Sequence, residues 1–187
     1  MKRIILIAGR SQAGKDTTAN IIYNTLIANG HSRNDINITH FADKLKLLSY
    51  KLLKDFYPEL DPHAFYDKKD EYNEFLKTKN RTFLQYLGTY SKDMLGDNIW
   101  VESVNITDGI NIIADHRFIT ERKIIEKIYP EHLVSSIRIF REIVDNKPIT
   151  HESEKIDFRC DINIYNNLTL DSLNQNIKKR INEIIYK

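Results

Sequence analysis

Ile4-Ile5-Leu6-Ile7-Ala8 runs directly into Gly9-Arg10-Ser11-Gln12-Ala13-Gly14-Lys15-Asp16-Thr17. The first five residues are a short, continuous apolar run rich in β-branched side chains, which predicts a buried strand. Lys15 to Ala28 then places Ala19, Ile22, Tyr23, Leu26 and Ile27 on one face, which predicts a helix that Gly30 closes. Between them lies the spacing Gly-x4-Gly-Lys. Glycines let a loop curl so that successive N–H groups aim at one centre. The start of the following helix adds partial positive charge, and a lysine there can reach an anion held by the loop. The plainer alternative is a glycine-rich turn carrying a surface lysine.

Working outward, Ile36 to Phe41, Ile110 to Ala114, Leu133 to Phe140 and Asp161 to Tyr165 are further strand candidates. Helices are predicted over Asp43 to Phe56, Arg81 to Leu95, Thr120 to Tyr129 and Leu170 to Ile185. The inward stripes are Leu45, Leu48, Leu52 and Leu53 in the first of these, and Phe83, Leu84, Leu87 and Met94 in the second. Tyr57 to Lys79, charged and aromatic with Pro58 and Pro62, reads as a mobile surface region with one helix at most. Arg141 to Phe158 is polar and poor in apolar periodicity. Strands alternating with helices predict an α/β fold, a five-stranded parallel sheet with helices on both faces. No linker or repeat divides the chain, so one domain is expected over residues 1–187.

Composition narrows the function. The chain has 187 residues, 41% hydrophobic and 29% charged, as expected of a globular domain with a real core. Lys+Arg total 28 and Asp+Glu 26, a net +2 that does not suggest stable nucleic-acid binding. Cys160 is the lone cysteine, so neither an internal disulfide nor a cysteine zinc site can form. The apolar run at the N-terminus is too short for a secretory signal and no other run is long enough for a membrane span. A reducing, cytoplasmic setting is expected.

Three groups of residues can carry chemistry. The loop, from Gly9 through Ser11, Gln12, Ala13, Gly14, Lys15, Asp16, Thr17 and Thr18, suits the phosphates of ATP. Asp16 stands where a hydroxyl usually meets Mg²⁺, and it can hold the ion directly or through water. Thr17 is then placed for an inner phosphate. Asp115-His116-Arg117 leaves the strand Ile110–Ala114 at the carboxyl edge, where open parallel sheets bind ligands. Asp115 can order Mg²⁺ or accept a proton, and Arg117 can clamp a phosphate. Arg81, Arg117, Arg138 and Arg141, with Lys147 and Lys155 further on, can together supply the cations that transfer between two anions requires, though any one alone reads as a solvated surface charge.

These residues resemble the bacteriophage deoxynucleoside monophosphate kinases. The resemblance rests on Gly14-Lys15-Asp16-Thr17-Thr18-Ala19, on Arg81-x-x-x-Gln85-x-Leu87-Gly88-Thr89, and on Trp100 at a similar distance. Asp115-x-Arg117-x-x-x-Glu121, a strand-ending Arg141, His151-x-x-Glu154 and the Asp161 to Leu173 stretch continue it in order. The resemblance implies a three-layer P-loop NTPase fold of the nucleoside monophosphate kinase kind, with acceptor-binding helices over 42–96 and a lid over 141–158. It implies ATP as phosphoryl donor, Mg²⁺, and a deoxynucleoside 5′-monophosphate as small-molecule acceptor. Lys15, Asp115, Arg117 and Arg141 would be catalytic. Arg81, Gln85, Arg117, Glu121 and Trp100 would bind the acceptor, and Asp16 and Asp115 the metal. It also implies a bacterial host's cytoplasm and the possibility of a homodimer. Phosphomevalonate-kinase-like and dephospho-coenzyme-A-kinase-like proteins share the loop and stay open as alternatives. So does a non-catalytic nucleotide-binding module, though that class usually adds an Asn-Lys-x-Asp base-reading motif, absent here.

Overall fold

A computed structural model describes residues 1–57, 71, 72, 74, 75 and 80–186. They form two compact units: residues 1–40 with 105–187, and residues 41–104. Most of the reading for Tyr57 to Lys79 lies outside the described residues.

The first unit holds β1 (Arg3–Ala8), α1 (Lys15–Ala28) and β2 (Ile36–Thr39). The second holds α2 (Asp43–Leu53), α3 (Arg81–Leu95) and the short α4 (Ile99–Glu102). The chain then returns to the first unit with β3 (Ile110–His116), α5 (Ile119–Ile128), β4 (Leu133–Phe140), the short α6 (Glu142–Asp145), β5 (Ile162–Tyr165) and α7 (Leu170–Tyr186).

The five strands make one sheet in the order β2-β3-β1-β4-β5, and every neighbouring pair is parallel. This is the α/β architecture that the alternating pattern predicts. β1 is central because it is apolar on both sides. Ile5 and Ile7 join the core with Ala19, Ile22 and Leu26 of α1 and Leu173, Ile177 and Ile184 of α7. Ile4 and Leu6, on the opposite face, are also wholly buried. Each such side chain contributes about 2 kcal/mol of burial free energy. The chain leaves β1 toward β2 on one side, then passes from β3 across β1 to β4 on the other. The loops therefore part above β1, which is where open parallel sheets leave a crevice.

At the other end of β1, Arg3 is fully buried and donates from Nη2 to the Ile184 carbonyl at 3.2 Å. It meets the last turn of α7, whose carbonyls favour a cation. Burial pushes its pKa down.

The second unit corrects two inward stripes. In α2, Leu45 is buried but Leu48 and Leu52 are exposed, while Ser49 and Tyr50 are wholly buried. Tyr50 packs on Tyr72 with ring centroids 4.8 Å apart, so an aromatic contact far along the chain selects the face. In α3, Phe83, Leu84 and Leu87 are half-buried, but Met94 is 82% exposed. Among the described residues, no helix is long and apolar enough to cross a membrane.

Candidate functional site

The loop between β1 and α1 takes up the strained backbone its glycines permit. Gly9 has φ +152° and a Cβ there would lie 2.8 Å from the Ile139 carbonyl oxygen. Gly14 has φ +101° and a Cβ there would meet the Asn166 amide. Gln12, without a glycine's freedom, also has positive φ. Asn166 braces the loop by donating from Nδ2 to the Ala13 carbonyl at 2.9 Å.

Lys15 opens α1 and is buried rather than on the surface, with Nζ donating to the Arg10 carbonyl at 2.9 Å. Burial, reinforced by Arg117, lowers its pKa to about 7. Asp16, Glu154 and Asp115 oppose that shift, so all four charged side chains act on one amine. The sign of the pH effect follows. Unfolded, Lys15 keeps its proton up to about 10.5; folded, it loses the proton near 7. Between these values the unfolded state binds more protons, so this group makes the protein more stable as pH rises from about 7 to 10.5. A bound polyphosphate would restore the proton. Calorimetry of ATP binding at pH 8, in buffers of different ionisation heat, should therefore show net proton uptake. Equal heats in all buffers would contradict the assignment of Lys15 to the phosphates.

The remaining loop residues divide by exposure. Asp16 and Thr17 are exposed, and Asp16 Oδ1 lies 2.9 Å from His40 Nε2. His40 directly follows β2, an end-of-strand position that the sequence reading missed. Thr18 is wholly buried, and its hydroxyl has no hydrogen-bond partner among the described residues. Ala13 packs in the core and gives its N–H to the Arg10 carbonyl. Ser11 donates its N–H to Glu154 Oε2 at 2.7 Å.

Asp115 and His116 lie at the carboxyl end of β3, which runs two residues beyond the predicted strand. Arg117 Nη1 donates to the Gly9 and Ser153 carbonyls, each at 3.1 Å, and lies 3.4 Å from Glu154 Oε1. Glu121 lies in the first turn of α5. It is buried, and its Oε2 accepts from Arg117 N (2.7 Å) and Phe118 N (3.1 Å) and meets His116 Nδ1 (3.1 Å). This carboxylate satisfies the N–H groups of Arg117 and Phe118, which lead into α5.

The polar segment 141–158 is fastened to the loop. Arg10 donates to the carbonyls of Asp145, Lys147 and Pro148 at 2.7 to 3.0 Å. Arg138 donates to the Ile156 carbonyl and covers the Phe140 ring. Arg138 thus ties β4 to the far end of this segment. Arg141 Nη1 donates to the Gln12 carbonyl at 3.0 Å, while its N–H goes to Asp145 Oδ2. Val144, Glu154 and Ile156 are buried, so the segment has anchors that apolar periodicity does not reveal.

Beside the loop, a cavity of about 390 Å³ is lined by Arg141, Glu142, Ile143, Asn166, Asn167 and Leu168. A second, of about 450 Å³, lies between α1 and α7 against Ile21, Thr25 and Lys178. It holds no loop donor and is no part of this site. Burial raises the Cys160 pKa.

Arg81, Gln85 and Trp100 belong to the second unit. Arg81 is exposed at the start of α3, and Gln85 is half-buried one turn on. Trp100 is 9% exposed and donates its indole N–H to the Gly88 carbonyl at 3.2 Å. That bond ties α4 to the Leu-Gly-Thr stretch of α3.

No family model and no curated protein matches the chain. Among solved structures it is similar to the Mycobacterium tuberculosis APS kinase CysC in complex with AMPPNP and APS. The TM-score is 0.48 at 11% identity, covering 100% of this chain and 98% of that one. A cysteine-to-alanine mutant of the same kinase gives 0.44 at 10% identity, with the same coverage. A likeness of this degree carries no argument about chemistry, which rests on the loop and its surroundings.

Proposed function

We propose that the protein is a P-loop kinase that transfers the γ-phosphoryl of ATP to a deoxynucleoside 5′-monophosphate. The observation that carries this reading is the setting of Lys15. Its amine sits at the N-terminus of α1, at the carboxyl edge of the central strand, with Arg117, Asp16, Glu154 and Asp115 all acting on it. A phosphate-binding loop beside three carboxylates and an arginine suits transfer between two anions, where the protein mainly positions and neutralises. The Leu-Gly-Thr helix and the Asp-x-Arg element favour a nucleotide as acceptor.

The donor's phosphates would lie against the loop and its base in the cavity bordered by Arg141 and Asn167. Among the described residues no three or more His, Cys, Asp or Glu side chains could hold a metal by themselves. Asp16, exposed at the loop, and Asp115, half-buried at the end of β3, instead suit an ion shared with a polyphosphate. Mg²⁺ bound there would neutralise charge on the β- and γ-oxygens. Lys15 would stabilise the transferring group, and Arg117 would orient the acceptor's 5′-phosphate. An acceptor phosphate oxygen then forms the new P–O bond as the bond to ADP breaks, and the diphosphate leaves. Arg81 and Gln85 are assigned to the acceptor, Trp100 to supporting α3, and Glu121 to orienting Arg117 through its backbone N–H.

The test is an acceptor panel of dTMP, dGMP, dCMP, dAMP and phosphomevalonate, with Arg117→Lys and Arg81→Lys beside wild type. At least one dNMP should be phosphorylated, and both variants should raise its KM while leaving the ATP KM nearly unchanged. Transfer to phosphomevalonate alone would overturn the nucleotide assignment. Equal effects on both KM values would move the arginines to the donor side.

A further inference from the structure

We propose that Glu154 is a positioning residue: an internal counter-anion that holds Arg117 beside the phosphate loop and yields it to an incoming phosphate. The inference rests on the kinase reading above.

A buried carboxylate is unexpected in a place built to attract anions. Glu154 is 7% exposed, and its Oε2 already takes the Ser11 N–H of the loop at 2.7 Å. Its Oε1 lies 3.4 Å from Arg117 Nη1, and its charge acts on Lys15 as well. A single side chain thus joins the loop, the end of β3 and the tethered segment.

The backbone carrying Glu154 is fixed. His151 accepts the Ser153 N–H at Nδ1 and holds the Ser153 hydroxyl at 2.9 Å, while Glu154 N donates to the His151 carbonyl. Arg10 pins the chain before this turn and Arg138 pins it after. The carboxylate cannot easily retreat, so any exchange of partners falls to Arg117.

Arg117 is suited to exchange. Its contacts with Gly9, Ser153 and Glu154 all run through Nη1, at 3.1 to 3.4 Å. Arginine binds a phosphate through two parallel N–H bonds, shorter and stronger than these. An arriving phosphate dianion would win the guanidinium, and Glu154 would hold it in reach until then. The carboxylate also repels a polyphosphate, so it weakens donor binding while it orders the acceptor side.

The experiment compares wild type, Glu154→Gln and Glu154→Asp in AMPPNP binding with Mg²⁺, in dNMP kinetics and in thermal melting. Glutamine keeps the shape and an oxygen for the Ser11 N–H but removes the charge. Glu154→Gln should bind AMPPNP about ten-fold more tightly. Its acceptor KM should rise several-fold, because Arg117 is no longer preset. Glu154→Asp keeps the charge, so it should show no gain in AMPPNP affinity and should recover part of the acceptor KM. A purely structural role would weaken both ligands and lower the melting temperature together. AMPPNP affinity in Glu154→Gln equal to wild type or weaker overturns the proposal, while wild-type binding and its loss in Lys15→Ala still support the kinase reading. If Glu154→Gln does not fold, Glu154→Asp decides through its acceptor KM: a value no better than that of Arg117→Lys overturns the proposal. If neither wild type nor Glu154→Gln binds AMPPNP, both readings fall.

Discussion

Replacing Lys15 with alanine should all but abolish phosphoryl transfer while leaving the protein folded. Removing a charged donor aimed at developing transition-state charge costs about 3 kcal/mol or more, roughly a hundred-fold or greater loss in kcat. The fold should survive for a specific reason. Lys15 is 8% exposed and burial already pulls its pKa to about 7, so the ammonium is held at a cost in the resting protein. Alanine removes that cost along with one bond to the Arg10 carbonyl. The melting temperature of Lys15→Ala should therefore match or exceed that of wild type at pH 6, where the wild-type amine is mostly charged. Turnover near the wild-type value would contradict the assignment of the loop.

Asp115→Asn is the second large effect. Asp115 lies at the end of β3, half-buried, two residues before Arg117, and its charge acts on Lys15. If it helps to hold the metal beside the polyphosphate, the neutral amide cannot supply the same charge. Losing one such electrostatic contribution to the transferring group is worth about a hundred-fold or more. Turnover should fall by at least that factor, while AMPPNP affinity changes little because the loop N–H groups and Lys15 hold the phosphates. Lost affinity with intact turnover of bound complexes would make Asp115 a binding residue instead.

The sequence pointed to the sheet and the loop because their causes are local. Ile4 to Ala8 is apolar on both faces, and only a central strand needs that. Lys15 to Ala28 has the helical stripe and the closing glycine, and the structure places α1 over those residues. Leu133 to Phe140 and Arg81 to Leu95 likewise coincide with β4 and α3.

What the sequence did not show depends on partners remote along the chain. Leu45, Leu48 and Leu52 make a fair stripe, yet Tyr50 is buried because Tyr72 waits for it. Segment 141–158 is poor in apolar periodicity because fastening by arginine to main-chain carbonyls leaves no periodic trace. Arg10, inside the loop pattern, gave no sign that it would hold Asp145, Lys147 and Pro148. Glu121 is a residue type equally suited to a ligand and to a helix start, and its bonds to the N–H groups of Arg117 and Phe118 leave no trace in the sequence. His40 was within reach of the rule that singled out Asp115, since both occupy the carboxyl end of a strand in one parallel sheet.

The central claim is that the γ-phosphoryl of ATP moves onto the phosphate of a deoxynucleoside monophosphate. Phosphorus-31 NMR of the protein with ATP, Mg²⁺ and each dNMP in turn reads that transfer directly. The account predicts that β-phosphate signals of a dNDP and of ADP grow together, with little free inorganic phosphate and no reaction in Lys15→Ala. ADP appearing only with inorganic phosphate, or no change with any dNMP although AMPPNP binds, would contradict it.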